Sequence, residues 1–68
     1  MSTLPPYQQR VVDEKTELDD KLSRLKPFLL TEKFSSLPQA ERDRMVRQAG
    51  AMEDYSTILG ERIAAFTQ

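Results

Sequence analysis

Residues 44–66, RMVRQAGAMEDYSTILGERIAAF, decide the fold. Within and just around them, Met45, Ala49, Met52, Leu59, Ile63 and Phe66 recur at steps of three, four or seven, which puts apolar residues on one side of an α-helix. A period of about 3.5 residues is that of helices packed side by side at a shallow angle. The same stretch carries more apolar surface than one neighbouring helix can bury. With Met52 at the centre of the stripe, Tyr55 lies about 60° to one side, and Ala51, Ile58 and Ala65 lie about 100–140° round on that same side. Those last three are seven apart, so they line up along the helix axis. Val46 and Ala64 form a weaker shoulder on the other side.

A first helix stands upstream, in YQQRVVDEKTELDDKLSRLKPFLL, residues 7–30. Tyr7, Val11, Leu18, Leu22, Leu25 and Leu29 fall in a stripe about 60° wide, a narrow coiled-coil-like seam. Tyr7 shares the seam phase, which favours core packing for it. Glu14, Lys15 and Lys21 flank the seam, where their aliphatic stems can pack while the charges reach water. Glu17 with Lys21, Asp20 with Arg24 and, in the second helix, Asp43 with Arg47 have the spacing of helical ion pairs. Pro27 removes the hydrogen bond to Ser23 and predicts a bend, because Phe28 and Leu29 keep the apolar phase beyond it. In the connection TEKFSSLP, Phe34 and Leu37 are apolar enough to plug the closed end of a hairpin. Ser36 and Gln39 have capping-box spacing ahead of the second helix.

The expected fold is all-α: one domain over residues 1–68, with helix 1 at about 6–30, a connection at 31–37 and helix 2 at about 38–66. A short connection makes the two helices antiparallel. A lone hairpin is a single layer without a second layer to close its core. A chain of 68 residues is marginally stable unless disulfides, a metal or oligomerisation help it. It has no cysteine and no histidine. A homodimer forming a four-helix bundle through Ala51, Tyr55, Ile58 and Ala65 is therefore expected, each large side chain so buried contributing about 1.5–3 kcal/mol.

Composition narrows function. Ten basic against eleven acidic residues give a net charge of −1, without the basic excess of a nucleic-acid binder. No apolar run has signal-peptide or membrane-spanning character, so the cytoplasm of whatever cell makes the chain is the expected location. Asp13, Glu17 and Asp20 share a face but read as a solvated charge row, and no metal or cofactor is expected. Without a cysteine or histidine nucleophile–base pair, or a glycine-rich phosphate loop, catalysis is not expected. Arg42, Arg44 and Arg47 cluster at the start of helix 2, Arg44 and Arg47 continuing the Ile58 shoulder. They suit a mixed-charge surface first, then an acidic protein partner, and last nucleic acid.

The stretches YQQRVVDEKTELDDKL and YSTILGERIAAF resemble the two ends of very short helical-hairpin proteins encoded by phages and prophages of proteobacteria. Tyr7, Arg10, Val11, Glu14 and Leu18 carry the likeness in helix 1, and Tyr55, Leu59, Arg62, Ile63 and Phe66 in helix 2. Some phage proteins of this size and shape are anti-activators, which bind a host regulator such as a quorum-sensing transcription factor, or a pilus motor, and switch it off. The resemblance implies an accessory protein that inhibits a host protein by binding it in the host-cell cytoplasm. The aromatic, arginine and apolar shoulder residues Tyr7, Arg10, Arg44, Arg47 and Ile58 are the expected contacts. An assembly helper of phage development, or a weak nucleic-acid binder using the arginine cluster, is the alternative.

Overall fold

The computed structural model describes residues 4–66. They form α1 (Pro6–Phe28), a one-turn α2 (Glu32–Ser35) and α3 (Gln39–Ala65), with α1 packed along α3 as a hairpin. The result is a rod of 49 × 17 × 15 Å. Among the described residues no helix is long and apolar enough to cross a membrane.

Local chemistry sets the ends of each element. Pro6 sits in the first turn of α1, where an N–H would have no helical acceptor. At the other end Pro27 lies inside α1, which stops one residue later. The Leu29 N–H is shared between the carbonyls of Leu25 and Lys26, both at 3.2 Å, and the Leu30 N–H reaches Pro27 at 3.0 Å. That tightening to i→i+3 bonds is how helices often finish. Pro27 thus ends α1 rather than bending a longer helix. Thr31 starts α2, its Oγ1 accepting from the Phe34 N–H at 3.2 Å and donating to the Phe28 carbonyl at 2.7 Å.

The capping box expected at Ser36 does not form. Because α2 exists, Ser36 is its C-cap, and its hydroxyl donates back to the Lys33 carbonyl at 2.7 Å. Pro38 precedes α3 without a side-chain cap. Arg42 braces the join instead, donating from Nε to the Leu37 carbonyl at 3.1 Å and from its terminal nitrogen to Gln39 Oε1 at 2.8 Å. Phe28 and Phe34 meet edge to face at 6.1 Å, with Phe34 and Leu37 half-buried. The plug expected at the closed end is there.

The seam between α1 and α3 buries Val11, Ala49, Ser56 and Leu59, the last completely. Half-buried Leu18, Leu22, Leu25, Leu29, Met45, Met52, Ile63 and Phe66 continue it. Tyr7 does not join: it is 63% exposed. Gln8 is half-buried at that end instead, because it stands seven before Lys15 and keeps the heptad phase that Tyr7 leaves. One layer of the seam is polar. Lys15 Nζ lies 2.8 Å from Ser56 Oγ on the other helix and 2.8 Å from Asp19 Oδ2 on its own. The Ser56 hydroxyl donates to Asp19 Oδ1 at 2.5 Å.

Candidate protein-interaction site

The long side chains that α1 leaves uncovered are the candidates for binding. Ile58 is 51% exposed, with Ala51 and Ala65 exposed on the same outward face of α3. Arg47 stands four residues before Ala51, which puts it on that face too. Tyr55, at the margin of this shoulder, is partly tied down: its hydroxyl donates to a Glu14 carboxylate oxygen across the seam. That bond holds the phenol proton and raises the Tyr55 pKa above its usual 10.0.

The expected contact residues do not converge on one spot. Tyr7 and Arg10 lie in the first turns of α1, whereas Arg44 and Arg47 lie in the opening turns of α3. In an antiparallel hairpin those are opposite ends of the rod. Arg47 and Ile58 share a face but are separated by about 16 Å along the axis at 1.5 Å per residue. Arg44 is already occupied, donating to Glu41 Oε1 at 2.9–3.0 Å. Arg10 and Arg47 have no ion pair or hydrogen-bond partner among the described residues, so both guanidinium groups are free.

The surface charges pair differently from the sequence spacing in two of three cases. Asp20 and Arg24 do meet, at 2.7 Å. Among the described residues neither Glu17–Lys21 nor Asp43–Arg47 is an ion pair; Asp43 accepts from Gln39 at 2.8 Å instead. Lys26 and Glu53 join α1 to α3 at 2.9 Å. No group of three or more carboxylates among the described residues could hold a metal ion.

A feature that the sequence hinted at only through Val46 is an apolar groove of about 600 Å³ near the closed end. Pro27, Leu29 and Leu30 form one wall, Val46, Ala49 and Gly50 the other, and Lys26 and Glu53 stand at its rim. Leu30 is 90% exposed and Val46 53% exposed. Leu30 stands one residue past Leu29, about 100° off the seam by helical phase, so the apolar stripe gives no signal for it.

Two long helices paired as a hairpin, with apolar residues and unpaired arginines on the outer faces, define a small helical protein with surfaces suited to binding. The chain belongs to the Sequestin family, whose model matches residues 5–65. It is also 35% identical over 60 residues to an uncharacterised 7.5 kDa protein of the denB–rIIB intergenic region of Enterobacteria phage T4, the match covering 88% of this chain and 94% of the T4 protein. Neither match indicates an enzymatic family. No solved structure matches the chain.

Proposed function

We propose that this chain is a phage accessory protein that sequesters a host protein by direct binding, acting as a homodimer in the host cytoplasm. Its target would be a regulator, such as a quorum-sensing activator, held away from its normal partners. The observation that carries the proposal is the outward face of α3, where Arg47, Ala51, Ile58 and Ala65 remain exposed on a hairpin whose seam is already filled by α1. An exposed apolar side chain and a free guanidinium on one helix face, though about 16 Å apart along it, are of the residue types favoured at protein interfaces. The family name supports a sequestering role, and the phage relative supports a phage setting.

Affinity capture from a bacterial host lysate tests it. The unaltered chain should retain one polypeptide at stoichiometric yield, and a helical Arg47→Glu/Ile58→Glu variant should lose it. Empty capture at gentle salt would overturn the proposal. Recovery of a small molecule without a polypeptide would keep sequestration and overturn its protein target.

A further inference from the structure

We propose that the groove at the closed end, rather than the Ala51, Tyr55, Ile58 and Ala65 face expected from the sequence, is the surface through which two copies of this chain associate. The inference rests on the self-association proposed above and names where it occurs. Three independent features point to a second copy as the occupant.

The first is Gly50. A glycine within a helix costs about 1 kcal/mol relative to alanine, and nothing in the chain requires it: a Cβ built there meets no atom within 4 Å. Open space over a mid-helix glycine is room for another backbone to approach closely. The second is Leu30, 90% exposed at the edge of this same groove. Each copy therefore carries both a protruding apolar side chain and an apolar recess, which is what a self-complementary two-fold interface needs. The third is charge. The α1 wall carries Lys26 and the α3 wall carries Glu53, 2.9 Å apart and both about half exposed. A two-fold axis running along the groove lays the α1 wall of each copy over the α3 wall of the other. Lys26 then faces the Glu53 of the second copy, and two ion pairs merge into a four-charge rim. Two hairpins so arranged make a four-helix bundle, leaving the Ile58 face of each copy open.

Sedimentation equilibrium of the full chain tests this with three variants. Leu30→Glu should weaken dimerisation at least tenfold, and Gly50→Ala should weaken it while raising helicity of the monomer. Ile58→Glu should leave the dimer intact. A 7.8 kDa particle at every concentration of the unaltered chain would overturn both self-association and this surface, leaving the groove to a ligand or another protein. A dimer lost with Ile58→Glu but kept with Leu30→Glu would overturn the surface alone. Circular dichroism of each variant separates dissociation from unfolding.

Discussion

Among the described residues Leu59 is the one large side chain wholly removed from water, and it has few buried companions to share its role. Truncating it to alanine is expected to cost about 2–5 kcal/mol. That is comparable to the whole stability of a small domain, about 5–15 kcal/mol, so Leu59→Ala should show little cooperative unfolding in a urea titration followed by circular dichroism. The polar layer makes a second residue-scale prediction. Hydrogen bonds from Lys15 first, and then from Ser56, lower the Asp19 pKa below its ordinary 3.8. A lowered folded-state pKa stabilises the fold above the unfolded value and is lost as pH falls through the folded one. Asp19→Asn should therefore flatten the acid limb of stability below about pH 4 while leaving its neutral-pH slope unchanged, as read by denaturant midpoints across pH. The layer was only half legible in the sequence. Lys15 stood beside the seam by phase, but Ser56 looked like a gap between Met52 and Leu59. A serine on a buried stripe gives no apolar signal, and only the lysine reaching across from the other helix reveals why it is there.

Among the elements, the two long helices were legible because both apolar periods run for several turns. Their ends were not, because they depend on competition among local hydrogen bonds. Ser36 had the right spacing to cap α3, yet α2 claimed it first. Pro27 kept the apolar phase on its far side, yet the missing N–H let the chain tighten and turn outward at Leu30. Pro27→Ala restores the donor toward Ser23 and removes the ring clash, which in a helix interior is worth about 3 kcal/mol. Near a helix end a smaller gain of about 1–2 kcal/mol is expected, measured as a raised denaturant midpoint with added helical ellipticity. If α1 lengthens in that variant, Leu30 rotates and self-association should weaken.

At the scale of the molecule, a rod 15 Å thick cannot bury much of itself, and small chains commonly gain stability by assembling. Folding coupled to dimerisation makes the thermal midpoint depend on protein concentration. A hundredfold dilution should lower Tm by several degrees, since the linked term is about 2.7 kcal/mol per hundredfold. A midpoint that holds constant across that range would contradict coupled folding. The hairpin architecture was fully foreshadowed by the two stripes, but the groove was not, since it exists only where the end of α1 and the start of α3 lie side by side.

The thinness of the rod has a corollary for substitution. With only Val11, Ala49, Ser56 and Leu59 truly enclosed among the described residues, most of the described positions are in touch with solvent. Such a chain can accept substitutions over most of its surface while the few enclosed side chains keep the hairpin together.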